Sequence, residues 1–512
     1  MILRAIQNFI TMKKNIILPI FILVCTAISA HSQTVSDAVR YSYNTYANSG
    51  RSAGVNNSLG AMGTDFGAIS QNPGGLGWYR TSEFNFSLGT TGYTTNAQLS
   101  GTNNKSTKIT ARKFGIPGVG LVFNSKPRHS DWKNVNFALG INQLGAYKQE
   151  YQYEGVSKGS VMDYFVEQAQ GKTADQLDPF STKLAYEAFA IYDPDETNGN
   201  KTEWASDFDG FATKPVVAKK QEVLNTGYAS EVVMALGANY KEKLSVGASL
   251  GVPFMRYETQ SFYSEDNSGP DKVPFFNSLE WTEDVRAKGV GVNLKIGASY
   301  RPIQALRIGA AIHSPTAYAI SEDYNNSFVY DLTTANGTNY RTSKSSPDGQ
   351  YDYNLLTPWR WIGDAGIIIG KKGFISAEVE YVDYPTARFT FNNTSDDPDA
   401  TKYQRELNNK ISKELEAGFN YRIGAEYVLG DFRVRAGYGI YATPYANDSQ
   451  TNSSFSLGFG ARLEKFFFDL GYVNWQQKQS FKPYEVSVKD YQPLVNSELS
   501  SSRILLTVGF KF

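Results

Sequence analysis

Side chains that could carry out acid–base or nucleophilic chemistry are scarce in this chain. The 512 residues include three histidines and one cysteine. His31 and Cys25 lie in an N-terminal apolar stretch, which leaves His129 and His313. A lone histidine on a strand or in a short loop is more often structural than catalytic. Because a covalent catalyst needs a nucleophile with a base in reach, we expect no catalytic residues and no enzyme.

Metal and cofactor motifs are missing from the sequence as well. The acidic segment 193–199 is loosely similar to a calcium-binding loop, but its glycine stands at the seventh position instead of the sixth. Trp204 occupies the twelfth position, where such a loop needs glutamate. We interpret this segment, and the acidic cluster 396–399, as solvated loops. No phosphate-binding or HExxH pattern occurs, so we expect no metal and no cofactor.

The bulk composition indicates strands and excludes a nucleic-acid partner. Fifty basic residues balance fifty acidic residues, which leaves no global positive field for nucleic acid. The 33 tyrosines, 31 phenylalanines and 45 glycines suit strands and tight turns. A mean hydropathy of −0.38 is typical of soluble proteins. A transmembrane barrel can share it, because its strands alternate lipid-facing apolar residues with lumen-facing polar ones.

The N-terminus has the pattern of an export signal. Lys13 and Lys14 precede an apolar run over residues 16–30, and small residues follow. This predicts a signal peptide over residues 1–32, cut before Gln33, with Met12 as an alternative start. The run is too short to span a bilayer as a helix. Cys25 would leave with this peptide, so the exported chain would hold no thiol.

From residue 83 onward the dominant hydrophobic period is two, which is typical of strands with two different faces. The last series alternates Ile504, Leu506, Val508, Phe510 and Phe512 with smaller or polar residues. We count about 14 such strands, an even number that suits a single-chain outer-membrane barrel. Short connections alternate with long polar segments near 264–275, 324–353, 392–412 and 483–499. Short periplasmic turns and long outer loops are expected of such a barrel.

The C-terminal strand resembles the signal that the barrel assembly machinery reads, an alternating apolar strand that ends on an aromatic residue. Phe510 and Phe512 would carry this assembly signal. The alternative is a simple edge strand. An exposed edge of this kind would promote aggregation in a soluble protein, whereas in a closed barrel it pairs with the first strand.

Two regions depart from this period. Residues 34–80 are rich in small residues, and residues 155–228 contain apolar residues at helical spacing, which predicts a partly helical extracellular insert. The apolar residues of the insert could pack on one another. Alternatively they could form a capture lip for an apolar solute, since unusually long loops are often functional. The candidate lip residues are Tyr164, Phe165, Phe180, Leu184 and Ile191.

Residues 53–80 resemble the N-terminal plug of the FadL-type family, outer-membrane transporters of long-chain fatty acids and aromatic hydrocarbons. In that family an Asn-Pro-Ala motif precedes the first strand. Here Asn72-Pro73 is followed by Gly74. Segments 306–316 and 357–360 also look like family strands. The resemblance covers nearly all of the mature chain.

The resemblance implies an all-β transmembrane antiparallel barrel over residues 82–512, with a plug over residues 33–81, in the outer membrane of a Gram-negative bacterium. It further implies passive transport: a hydrophobic solute is captured by the outer loops, enters a pocket above the plug and leaves sideways through the wall. The implied gating residues are Asn72, Pro73, Gly74, Gly75 and Leu76. The implied partners are the solute, outer-membrane lipid and lipopolysaccharide, and the assembly machinery.

Two other functions remain open at this point. One is an outer-membrane binding or adhesion protein that transports nothing, although such a protein has little need of a plug. The other is an energised receptor for haem or a siderophore, but those barrels have about 22 strands. The sequence also leaves open whether the solute is a fatty acid, an aromatic hydrocarbon or another lipid.

Overall fold

The computed structural model describes residues 33–512 apart from 47, 102, 195–201, 393–397, 447 and 449. The predicted signal peptide, most of the acidic segment 193–199 and Asp396 and Asp397 therefore lie outside the described residues. Nineteen strand segments, all antiparallel, form a single sheet. These segments are β1 Glu83–Leu99, β2 Thr107–Ser125, β3 Trp132–Ala146, β4 Gln149–Lys158, β5 Val216–Tyr240, β6 Leu244–Asp266, β7 Phe276–Ile303, β8 Leu306–His313, β9 Ala317–Thr333, β10 Asn339–Ser345, β11 Gly349–Leu356, β12 Arg360–Ile368, β13 Gly373–Val382, β14 Arg388–Phe391, β15 Gly418–Leu429, β16 Phe432–Ala442, β17 Thr451–Arg462, β18 Phe466–Phe481 and β19 Val495–Lys511.

The sheet closes on itself, because β1 pairs with β2 on one side and with β19 on the other. Several segments continue one another along the same path: β3 with β4, β8 with β9, β10 with β11 and β12, and β13 with β14. The result is a closed barrel of 14 strands, which confirms the predicted fold class and strand number. Closure removes the exposed edges that an open sheet would present.

Proline interrupts three neighbouring strands of this barrel. Pro315 separates β8 from β9, Pro358 separates β11 from β12, and Pro385 lies between β13 and β14. A proline has no backbone N–H to donate to the ladder. The chain stays connected across the breaks, since the Thr357 amide donates to the Thr316 carbonyl at 3.0 Å and the Asp383 amide to the Trp359 carbonyl at 3.2 Å. The wall therefore bends here without opening.

The outer surface of the barrel is apolar and the lumen is polar. On β7, Leu294 and Ile296 are exposed, whereas the alternating Asn293 and Lys295 are buried inside. An apolar surface of this extent is unstable in water but matches the hydrocarbon core of a bilayer. Single-chain barrels of this construction belong to bacterial outer membranes, so the chain is an outer-membrane protein.

Short helices precede β1 and fill the longest connections. Thr34, Ser49, Asp65 and Asn72 cap the first four helices through side-chain oxygens that accept backbone N–H groups. No described helix combines the length and apolar character needed to cross a bilayer. The α-helices are α1 Val35–Ser42, α2 Gly50–Gly54, α3 Phe66–Ile69, α4 Val161–Ala169, α5 Thr182–Glu187 and α6 Pro398–Glu414, and the 3-10 helices are Pro73–Trp78, Tyr384–Thr386 and Lys489–Tyr491.

Two connections differ from the sequence prediction. The insert is shorter than residues 155–228, because β4 extends to Lys158 and β5 begins at Val216. Residues 392–412, predicted as a polar loop, include most of α6. Its Leu407 and Ile411 lie four residues apart and are both buried, while the Asn408 side chain accepts the Phe389 amide at 2.9 Å. A single buried stripe on an otherwise polar helix gives only a weak hydrophobic pattern.

We expect Phe512→Ala to slow barrel assembly. Phe512 is 57% exposed, its amide donates to the Ser82 carbonyl at 3.1 Å, and its ring stacks on Phe510 at 6.1 Å. Loss of an exposed ring should cost little stability in the finished barrel, so an assembly signal would show itself as less folded protein in the membrane. Heat-modifiable migration on gels measures this fraction. The control is Phe432→Ala, because Phe432 is similarly exposed at 51%. Equal folded yields for the two variants would show that Phe512 is not part of the assembly signal.

Candidate functional site

Residues 33–80 lie inside the barrel and contact its wall on several sides. The Gly50 amide donates to Thr507 Oγ1 of β19 at 2.8 Å, and Asn56 Nδ2 donates to Ser454 Oγ of β17 at 2.8 Å. On other strands, Asn142 Nδ2 of β3 donates to Ser70 Oγ at 2.8 Å, and Trp78 Nε1 donates to Ser299 Oγ of β7 at 3.1 Å. We call residues 33–80 the plug. Its contacts with strands around the barrel place it across the lumen.

Asn72 ties the plug to the wall. Its Oδ1 accepts the Gly74 amide at 2.9 Å and so caps the 3-10 turn that Pro73 begins. Its Nδ2 donates to Asp364 Oδ2 of β12 at 3.1 Å and to the Ala298 carbonyl of β7 at 3.3 Å. A single amide side chain thus shapes the turn and fastens it to two strands.

The glycine that follows Asn72-Pro73 is required by close packing. A Cβ at Gly74 would lie 2.7 Å from the backbone of Ala298, and a Cβ at Gly75 would lie 2.9 Å from Gly63 Cα. Leu76 is fully buried in a cluster with Ile69 of α3 and residues of β2, β3 and β5. This chain therefore departs from the Asn-Pro-Ala motif because its turn touches the backbone of β7.

Buried ion pairs support the plug from the lumen wall. Arg422 contacts both Glu378 and Glu380, and Gln71 of the plug donates to Glu378 Oε1 at 3.1 Å. A second group joins Lys295 Nζ to Glu231 Oε2 at 2.5 Å. Sequence analysis missed these groups. The register between strands decides which carboxylate lies next to which cation, and the sequence does not show that register.

On the periplasmic side, the plug carries a buried carboxylate at Asp65. Burial raises the pKa of Asp65, and the charge of Arg51 together with hydrogen bonds from Ser49 Oγ (2.8 Å) and the Gly67 amide (2.9 Å) offsets only part of that shift. The carboxylate caps α3 and links it to Ser49 at the start of α2, so it holds two plug helices together.

An aromatic cluster lies in the lumen where α1, the first plug helix, meets the wall and α6. Tyr41 of α1 meets Tyr147 and Tyr257 edge-on, each with ring centroids 6.2 Å apart, and Arg40 lies 4.1 Å above the Tyr257 ring. Other buried apolar residues of this cluster come from the wall and from α6, namely Met255, Tyr318, Ile320, Tyr353, Leu355, Phe389, Phe391, Leu407 and Ile411. These side chains pack on one another, and we call this buried apolar cluster inside an otherwise polar lumen the aromatic chamber.

The barrel wall opens between β2 and β3. β2 pairs with β3 only over Gly118–Ser125, although its other edge pairs with β1 as far as Thr107. Along residues 107–117 the second edge of β2 has no strand partner in the described part of the chain, since β4 pairs with β5. In a bilayer, unpaired backbone is tolerated only where it lines a cavity or a polar opening.

The two faces of β2 at this opening carry different kinds of side chain. Phe114 and Ile116 are 68% and 57% exposed on the lipid side. Lys113 shares the inward face with Thr91 of β1, its register partner. Its Nζ reaches across the opening and donates to the Gly227 carbonyl of β5 at 2.8 Å. The opening therefore sets the inward-facing Lys113 beside residues that face the lipid.

Comparison with solved structures bears on the architecture. No protein-family model and no curated protein sequence matches the chain. A crystal structure of a Pseudomonas aeruginosa FadL homologue aligns over 92% of this chain and 98% of its own, with a TM-score of 0.53 and 14% identity.

The chain has the FadL fold. Two structures with lower scores are the Pseudomonas putida toluene transporter TodX, with 12% identity over 92% of this chain and 100% of its own at a TM-score of 0.48, and the Ralstonia pickettii toluene transporter TbuX, with 14% identity over 90% and 99% at 0.45.

The residues predicted as a capture lip on this FadL fold pack mainly against one another and the strand extensions. Phe165, Leu184 and Ile191 are buried, and the Phe165 ring lies 5.2 Å from that of Phe328. Tyr164 and Phe180 are half-buried; Tyr164 stacks on Trp281 at 6.0 Å, and Phe180 meets Tyr324 at 4.7 Å. Sequence analysis gave this mutual packing of the insert residues as one of its two possibilities. A capture lip made of these five residues stays a prediction, and it would need the insert to rearrange.

We expect Gly74→Ala to make the barrel leak ions. The new Cβ would collide with the Ala298 backbone and push the turn away from β7, which opens a path beside the plug. Conductance of the purified protein in planar bilayers should rise severalfold. The control is Gly363→Ala in β12, where an added Cβ meets nothing within 4 Å. Unchanged conductance of a folded Gly74→Ala barrel would contradict the tight seating of the turn.

We expect Phe165→Ala to loosen the insert and leave the barrel intact. Removal of a buried ring costs about 3–5 kcal/mol, and here the loss falls on a small outer core instead of the closed sheet. Limited proteolysis of intact cells should cut the insert faster, while heat-modifiable migration stays unchanged. Phe189→Ala, at a 68% exposed ring of the same insert, is the control. Equal cleavage rates in the two variants would show that Phe165 does not support the insert.

Proposed function

We propose that the protein carries hydrophobic small molecules, foremost long-chain fatty acids, across the outer membrane by passive diffusion. The solute would enter among the outer loops, insert between the side chains of the aromatic chamber and leave sideways through the opening between β2 and β3. The single observation that carries this proposal is a plug anchored across the lumen beside an edge of β2 that, within the described residues, lacks a strand partner over residues 107–117.

The plug and the opening support one route and disfavour another. An axial pore would need the plug to leave its anchors on β3, β7, β17 and β19. A lateral exit needs no such displacement, because residues 107–117 of β2 already lack a partner on the β3 side among the residues that the structure describes. The lateral exit also lets an apolar tail pass from the chamber into lipid without crossing water.

The aromatic chamber supports an apolar solute over a polar one. Burial of apolar surface contributes about 25 cal/mol per Å², so a long alkyl chain gains several kcal/mol in contact with the rings around Tyr41 and Tyr257. Ligand sites are commonly apolar cavities with a few oriented polar groups, and the hydroxyl groups and Arg40 here are of that kind. Asn72 and Pro73 would shape the plug turn that forms the floor of the route.

The test is uptake of labelled palmitate by Gram-negative cells that lack their own fatty-acid transporter. We expect uptake to depend on the protein and to fall severalfold when Asn72 and Pro73 are both replaced by alanine, since the turn then loses its cap and its bonds to β7 and β12. The control is Asn96→Ala, at a half-buried asparagine of β1 that is far from the plug turn in sequence. Folded barrel with no palmitate uptake would overturn the fatty-acid proposal and leave another apolar solute or an adhesion role.

A further inference from the structure

A lysine stands at the edge of the wall opening. Lys113 faces the lumen from β2. It lies five residues before Gly118, the first residue of β2 that pairs with β3. Phe114 and Ile116 flank it on the lipid face. A solute that leaves the lumen here would pass the Lys113 ammonium group just before its tail enters lipid.

The ammonium group of Lys113 has only a neutral acceptor. Its hydrogen bond goes to the Gly227 carbonyl at 2.8 Å, and its Nζ lies 5.5 Å from the Tyr228 ring centroid. Among the residues that the structure describes, no carboxylate forms an ion pair with it. A carboxylate adds an attraction between opposite charges that a neutral carbonyl does not offer, so an incoming carboxylate can displace the carbonyl.

The surroundings of Lys113 are positive. Arg503 of β19 and Lys148, at the break between β3 and β4, both repel the charge of Lys113. Arg503 donates to Thr91 Oγ1 at 3.2 Å and to Gln143 Oε1 at 3.1 Å, which holds it on the same inner row as Lys113. Glu150 forms an ion pair with Lys148. Such a cluster beside low-dielectric lipid attracts anions strongly.

We propose that Lys113 is the binding site for the carboxylate of the transported solute at the wall opening, and that it favours fatty acids over neutral amphiphiles of equal chain length. This inference rests on the proposed transport function and adds the residue that would recognise the solute's head group. In this arrangement the head group bonds Lys113 in place of the Gly227 carbonyl, while the alkyl tail passes Phe114 and Ile116 into the membrane.

The experiment compares uptake of labelled palmitate with uptake of hexadecanol, the alcohol of the same length, in the transporter-deficient cells. Lys113→Gln keeps a hydrogen-bond donor for the Gly227 carbonyl but removes the charge. We expect it to lower the palmitate-to-hexadecanol uptake ratio about tenfold, the value of one charged hydrogen bond. Lys113→Arg should restore the ratio. The matched control is Lys108→Gln, which removes a charge from the exposed outer face of the same strand.

The outcomes separate this inference from the proposed function. If the wild-type protein takes up palmitate and Lys113→Gln leaves the ratio unchanged, the carboxylate site is overturned and transport stands. If Lys113→Gln lowers the uptake of both solutes equally in a folded barrel, the lysine only maintains the opening. The carboxylate site is then overturned as well. If the wild-type protein takes up neither solute, the transport function itself fails.

Discussion

The requirement that every backbone hydrogen-bonding group find a partner inside a bilayer controls this structure. It closes 14 strands into a barrel, and it makes any unpaired stretch costly. Proline breaks at Pro315, Pro358 and Pro385 are bridged by further backbone bonds. The edge of β2 over residues 107–117 is the contrasting case, because it lacks a partner strand within the described residues. A gap kept at that cost suggests a use, and the proposed lateral exit gives it one.

The polar lumen follows from the same alternation that makes the exterior apolar. Inward-facing carboxylates such as Glu231 and Glu378 must be paired, because a buried uncompensated charge destabilises a fold strongly. Lys295 and Arg422 pair with them from other strands, and plug residues Ser70 and Gln71 add hydrogen bonds. The plug is thus attached by polar contacts as well as by the apolar packing around Leu76, and water or a solute can replace the polar contacts more readily.

One apolar cluster of the lumen lies where the first plug helix meets the wall. There α1 and α6 bring Tyr41 and Leu407 against rings of the wall, whereas the insert residues Phe165 and Leu184 build a separate outer core. Two apolar clusters therefore have different roles. The outer one stabilises a long connection, and the inner one lies where the plug, the lumen and the wall opening meet.

Local patterns in the sequence determined much of the architecture. Alternation predicted the strands through Phe512, helical spacing predicted α4 and α5, and small residues with Asn72-Pro73 predicted a plug. Contacts between distant segments decided the rest. Only the pairing of β4 with β5 sets the wall opening, and only the approach of Ala298 explains why Gly74 cannot be alanine. Side-chain periodicity is a property of neighbouring residues. Strand register and barrel closure depend on residues hundreds of positions apart, as the pairing of Glu83 with Lys511 shows.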